Sequence, residues 1–123
     1  MDHQDVIDRI RGGVGKITSA LTDRPRGAVS KLLAAHALKA INNSAACADW
    51  LRFLTRVGGM SATSIARVAR ANAEDAIDAL RLFTLDYAAD AADPRREWFA
   101  TLANAMDALR APLSEVIALQ TAG

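Results

Sequence analysis

Apolar residues recur at every third and fourth position through most of this chain. The first such stretch runs from Val6 to Leu21 with charged residues between, and it predicts an amphipathic helix over residues 4–22. Each glycine in the segment 12–15 costs about 1 kcal/mol relative to alanine inside a helix, so we expect this helix to be the weakest. Pro25 ends it, because the residue before a proline is disfavoured in the helical region.

The longest periodic stretch covers residues 26–57 and is followed by Gly58-Gly59, a typical stop for a helix. This second helix is apolar on two sides. One side is centred near His36, and the roughly opposite side carries Leu38 and Ile41. A helix of this kind usually lies centrally in a bundle. Which side forms the core decides whether His36 faces water or protein.

Two further helices follow. Ser61 is the predicted N-cap of the third helix, and Asp93-Pro94 predicts the start of the fourth, since proline at the first helical position loses no needed donor. Pro112 is expected to kink or end the fourth helix, leaving residues 113–119 as a short continuation. The predicted core stripes are Ile65, Val68, Ala69, Ala76, Leu80, Phe83 and Tyr87 in the third helix, and Trp98, Leu102, Ala105, Met106 and Leu109 in the fourth.

The composition supports an all-α fold. Alanine accounts for 27 of the 123 residues, aromatic residues reach only 5%, and no sustained alternation of apolar and polar residues predicts a strand. Four helices with short connections predict an antiparallel up-and-down four-helix bundle, formed as a single domain by residues 1–123. Trp50 and Trp98 fall on apolar helix faces, where we expect them to be core residues.

The net charge of +1 predicts no nucleic-acid partner. The charge is unevenly distributed, because residues 1–60 carry a net charge of +4 and residues 61–123 carry −3. Such an asymmetry favours attraction between the halves, within one chain or between two copies. No apolar run is long enough for an integral membrane segment, and no signal peptide is evident, so we expect a cytoplasmic protein.

Few residues outside the second helix offer chemistry. The segment 12–16 resembles a phosphate-binding loop only in composition, because the required serine or threonine after Lys16 is absent. Met1-Asp2-His3 has a spacing that can hold Cu(II) or Ni(II), although a terminus without further ligands is the simpler interpretation. Cys47 has no second cysteine to pair with. We expect no cofactor and no metal.

His36 offers the strongest candidate chemistry. A neutral imidazole is a nucleophile near pH 7, Lys39 lies one turn further along, and the small residues around it leave room for a partner. The run Ala35-His36-Ala37-Leu38-Lys39-Ala40 resembles the His-x-Leu-Lys signature of histidine-containing phosphotransfer domains. The resemblance implies a helical bundle in which His36 accepts a phosphoryl group, Lys39 steadies it and Leu38 is buried. The implied partner is a receiver domain or a histidine kinase.

The residues leave a second interpretation open. His36 also lies on an apolar stripe, which is typical of a buried, hydrogen-bonded core histidine. In that case the chain is a non-catalytic helical module for protein interaction or self-association. Under either interpretation we expect a phosphoryl carrier or a binding module, and no stand-alone enzyme.

Overall fold

The structure is a computed structural model that describes residues 3–23, 31–56, 60–86 and 96–119. Its four helices are α1 (Gln4–Thr22), α2 (Lys31–Leu54), α3 (Met60–Asp86) and α4 (Arg96–Ile117). Each helix packs on the next one along the chain, and α4 also packs on α1. The helices therefore form a ring around one core, and the prediction of an all-α four-helix bundle is confirmed.

Contacts at both ends show that α1 and α4 are antiparallel. The indole Nε1–H of Trp98, at the start of α4, donates to the carbonyl of Ala20 near the end of α1 at 2.8 Å. Arg9 forms an ion pair with Glu115 at the other ends of the same two helices. Between these contacts, Gly13 is buried against Leu109. The missing side chain at Gly13 lets the two helices approach closely.

α2 and α3 form the most extensive helix pair. Because so few residues separate Leu54 from Met60, two long helices can pack along each other only in opposite directions. Their shared surface is built from small side chains, which let the helix axes approach closely. The buried small residues are Ala37, Ala40, Ser44, Cys47 and Ala48 in α2, and Ala66, Ala69, Ala73, Ala76 and Ala79 in α3.

Among the residues whose burial the structure describes, the bulky part of the core comes mainly from α1 and α4. Fully buried large side chains from these helices are Ile7, Ile10, Ile17, Leu102, Leu109, Leu113 and Val116, whereas α2 and α3 contribute Leu51 and Leu80. The close approach of α2 and α3 leaves little space for large side chains between them. Several of their large apolar residues therefore lie outside the core.

The helix boundaries confirm most of the predicted ones. α1 matches the predicted range and is continuous through its glycine segment. α2 lies within the predicted range, but residues 24–30 and 57–59 are outside the described residues. α3 begins at Met60, so Ser61 lies inside the helix and is not its N-cap. The predicted start at Asp93-Pro94, and Tyr87, also lie outside the described residues. Pro112 is buried within α4, which continues to Ile117.

Candidate functional site

His36 lies at the edge of the core and not in its centre. Its side chain is half-buried, and it comes one residue before the buried Ala37. Asn43 and Trp50 follow at intervals of seven and also precede buried residues, so these three side chains lie on one edge of α2. The core face itself runs through Ala40 and its helical neighbours. Neither of the two predicted apolar faces alone coincides with it.

The structure brings His36 and Lys39 onto neighbouring turns of the same helix. Lys39 is exposed, and so is Ala35, which leaves space beside the imidazole. The Lys39 carbonyl accepts a hydrogen bond from Asn43 Nδ2 at 2.9 Å. The expectation that Leu38 is buried is wrong, because Leu38 is 57% exposed. α2 turns Ala40 and Ala48 inward, and Leu38 lies on the far side of the helix from them.

Four other large apolar side chains are exposed among the described residues. Trp50 and Phe53 of α2 are 39% and 49% exposed, and Val68 and Leu82 of α3 are 41% and 44% exposed. The predictions that Trp50 and Val68 are core residues are therefore wrong. Both lie one residue before a buried position, which rotates them about 100° out of the core.

These exposed residues form part of two stripes with the same spacing. On α2, Lys39, Ala46 and Phe53 recur at intervals of seven, which keeps them nearly on one line along a helix. On α3, the corresponding stripe is Val68, Asp75 and Leu82. Trp50 lies beside the first stripe, between Phe53 and the core.

The two stripes lie on the same side of the bundle. Asp49 comes directly after the buried Ala48 and forms an ion pair with Arg11 of α1 at 3.3 Å, so this edge of α2 faces α1. Lys39, Ala46 and Trp50 each precede a buried residue and therefore lie toward the other edge, beside α3, while Phe53 lies on the outer side of α2 between the two edges. α3 runs antiparallel to α2. The edge of α3 that is formed by residues one position before its buried residues therefore faces α2. We name this surface the α2/α3 face, defined by Lys39, Ala46, Trp50 and Phe53 with Val68, Asp75 and Leu82.

The α2/α3 face combines aromatic and charged groups. The Trp50 and Phe53 rings meet edge to face, with centroids 6.3 Å apart and an angle of 87° between planes. α2 carries three basic residues and one acidic residue over positions 31–54, and that acid is already paired with Arg11. α3 carries four acidic and three basic residues over positions 60–86. The face itself carries one basic side chain, Lys39 on α2, and one acidic side chain, Asp75 on α3.

Cys47 does not offer reactive chemistry in the folded chain. It lies on the inward side of α2 and is fully buried in the core. Burial raises the pKa of its thiol from 9.0 to about 12, because the thiolate would lose its solvation. Cys47 therefore stays protonated at neutral pH and acts as a small apolar residue.

An open groove of about 700 Å³ runs between α1 and α4. Gly12 and Gly15 form part of its floor, and a Cβ atom added to either would meet nothing within 4 Å. Lys16, Ser19 and Asn104 line the groove with polar groups that are exposed to solvent. The glycine segment lies in a regular helix, so it does not form a phosphate-binding loop.

Comparison of the chain with protein-family models, curated proteins and solved structures finds no match. Among the described residues, none of the helices has an apolar stretch that could cross a membrane. Within the same ranges, no cluster of three or more His, Cys, Asp or Glu side chains is arranged to hold a metal ion. Met1-Asp2, the first part of the spacing noted at the N-terminus, lies outside the described residues.

The sequence singles out His36 and Lys39, whose role stays a prediction, and it did not lead to the α2/α3 face. The available signal was the alanine content of α2 and α3, which predicts a closely packed helix pair with little room for bulky side chains. A tryptophan or valine on such a helix is displaced to its edge. The interval of seven between Val68, Asp75 and Leu82 was also visible in the sequence.

Proposed function

We propose that this chain is a non-catalytic helical interaction module that binds a protein partner through the α2/α3 face. One observation carries the proposal: five large apolar side chains are exposed among the residues whose burial the structure describes, and four of them lie on this face. Scattered single apolar residues are normal on protein surfaces, whereas a local group such as Trp50, Phe53 and Val68, which lie within about 11 Å of one another along the helix axes, is typical of an interaction site. Trp50 adds to this argument, since tryptophan is enriched at the energetic centres of interfaces.

A photo-crosslinker at position 53 tests this proposal for any protein partner that binds the face. Phe53→benzoylphenylalanine keeps an aromatic ring on the face, and irradiation of cells that express the variant should give an adduct of defined mass. The matched control is Ala111→benzoylphenylalanine, because Ala111 is also exposed but lies on the outer side of α4. Equal adducts from both positions, or none from position 53, would overturn the proposal.

His36 supports a second candidate function, phosphoryl transfer. The observation that favours it is the exposed Lys39 one turn from a half-buried imidazole, with the exposed Ala35 beside it. In this reaction an imidazole nitrogen forms a P–N bond as the P–O bond to a receiver aspartate breaks, and the aspartate leaves as a carboxylate. Lys39 offsets the charge of the phosphoryl group. The partner is a receiver domain or a histidine kinase.

Labelling from a phosphorylated receiver domain tests this second candidate. The label on the chain should be acid-labile and stable to alkali, it should be lost in His36→Gln, and it should form more slowly in Lys39→Ala. The chain has one other histidine, so His3→Gln is the matched control and should label like the unchanged protein. Label that persists in His36→Gln would rule out His36 as the acceptor.

A further inference from the structure

We infer that the partner on the α2/α3 face is a second copy of this chain, related by a two-fold axis parallel to the helices. This inference rests on the proposed function and specifies its partner. A two-fold axis in this orientation lays α2 of each copy on α3 of the other copy. The two helices that meet are antiparallel, and each residue keeps its level along the bundle. The interface is then closed, with the same surface used by both copies.

The two stripes match in level. Lys39 lies 15 residues before Leu54, the last residue of α2, and Asp75 lies 15 residues after Met60, the first residue of α3. At a rise of 1.5 Å per residue, both lie about 22 Å from the connected ends of the helices. The two-fold axis therefore brings Lys39 of one copy opposite Asp75 of the other, and it does so twice.

Two apolar residues, Ala46 and Val68, also lie at the same level along the bundle. Ala46 lies eight residues before Leu54, and Val68 lies eight residues after Met60. The small side chain of Ala46 therefore faces the larger side chain of Val68 in the other copy. Trp50 and Phe53 lie within two turns of Ala46, at a distance from which they can enclose Val68 of the other copy. At this level of the bundle, a larger residue of one copy meets a small residue of the other.

Charge favours this arrangement over the other symmetric one. Pairing α2 with α2 would bring together two copies of a helix that carries a net charge of +2 over residues 31–54. Pairing α2 with α3 instead brings this helix onto one with a net charge of −1 over residues 60–86, and it places Lys39 opposite Asp75. Like charges that face each other oppose association, and opposite charges also fix the register. The same complementarity favours a second copy over an unrelated basic partner.

The available area is sufficient for a dimer. Helices of 24 and 27 residues are about 36–40 Å long, and two of them side by side present a face about 20 Å wide. Each copy therefore contributes on the order of 700 Å², close to the roughly 800 Å² per partner of stable interfaces. A small-molecule ligand would leave most of this face uncovered.

Charge reversal tests the inference, with molar mass from light scattering as the readout. The unchanged chain should have twice the mass of one copy at micromolar concentration. Lys39→Asp and Asp75→Lys should each raise the dimer dissociation constant about tenfold or more, since each places like charges together twice. The double variant should restore the dimer. Lys16→Asp, on the exposed side of α1, is the control and should leave the mass unchanged.

Every other outcome counts against the inference. A monomer at all concentrations excludes a second copy as the partner, and an adduct with a different protein from position 53 would then preserve the proposed function alone. A dimer that neither single variant weakens uses another surface. Single variants that weaken the dimer without rescue in the double variant exclude the pairing of Lys39 with Asp75. Circular dichroism of each variant confirms that these exposed substitutions leave the helices intact.

Discussion

At the scale of single residues, the buried side chains between α2 and α3 are small, and one of them carries a hydroxyl without a hydrogen-bond partner among the described residues. Ser44 is fully buried, and its Oγ has no hydrogen-bond partner among the described residues. A buried hydroxyl without a partner costs about 1–3 kcal/mol, because it loses its hydrogen bonds to water. Ser44 therefore fits the space between the helices by size but opposes folding by its chemistry.

We expect Ser44→Ala to raise the free energy of unfolding by about 1–2 kcal/mol. The substitution removes the unsatisfied hydroxyl and leaves only a small void. Ser114→Ala is the matched control, since Ser114 is exposed on α4 and reports the helix propensity alone. Urea unfolding of both variants measures the difference. A gain in Ser44→Ala no larger than that in the control would show that the hydroxyl has a partner in solution.

The buried thiol of Cys47 predicts a pH dependence of stability. Its pKa rises from 9.0 to about 12 on folding, so the folded chain holds a proton that the unfolded chain releases in this range. The contribution of the protonated thiol to the free energy of unfolding is complete below pH 9 and is lost as the pH rises from 9 toward 12. Between pH 8 and pH 10.5, the unchanged chain should lose more stability in urea titrations than Cys47→Ala. Equal losses would contradict the burial of the thiol.

At the scale of helices, close approach occurs in two places for two reasons. α2 and α3 approach through alanines, whereas α1 and α4 approach at one glycine. A Cβ atom at Gly13 would lie 3.0 Å from Leu109 Cδ1 and 3.2 Å from the Leu109 Cα. The side chain can shift, but the backbone atom cannot move without α4. The position of α4 on α1 therefore depends on glycine at position 13.

Two glycine substitutions on α1 should have opposite effects. We expect Gly12→Ala to raise the free energy of unfolding by about 0.5–1 kcal/mol, because alanine favours helix and an added Cβ meets nothing. Gly13→Ala should lower it by about 1 kcal/mol or more, because overpacking exceeds the gain in helix propensity. Thermal or urea unfolding of both variants gives the comparison. Similar stabilisation in both would contradict the close contact with Leu109.

How much the sequence predicts differs between helices. The first helix was predicted to the residue because its apolar stripe is regular and its end is marked. α2 was predicted as a helix, but its inward face was not, since its apolar residues occur all round and size selects which of them turn inward. Leu38, Trp50 and Val68 were misplaced for this reason. Periodicity reports hydrophobicity, whereas the packing of α2 on α3 is decided by side-chain volume.

At the scale of the whole molecule, the bundle is asymmetric. Among the residues whose burial is described, its bulky core lies toward α1 and α4, and four of the five exposed large apolar residues lie on the α2/α3 face. The net charge differs between the two helices of this face, at +2 for α2 and −1 for α3. A two-fold dimer covers the apolar residues and pairs the charges in one arrangement. His36 lies at the edge of this face, so phosphoryl transfer and association would involve neighbouring surfaces.

Disulfide trapping tests the central claim, self-association through the α2/α3 face, most directly. The native thiol is buried, so an introduced cysteine is the reactive one. Ala46→Cys chains and Val68→Cys chains are oxidised separately and then as an equimolar mixture. The two-fold arrangement predicts a covalent dimer in the mixture and little in either chain alone, because position 46 faces position 68 of the other copy. No covalent dimer in the mixture, or an equal yield from Ala46→Cys alone, would contradict the account.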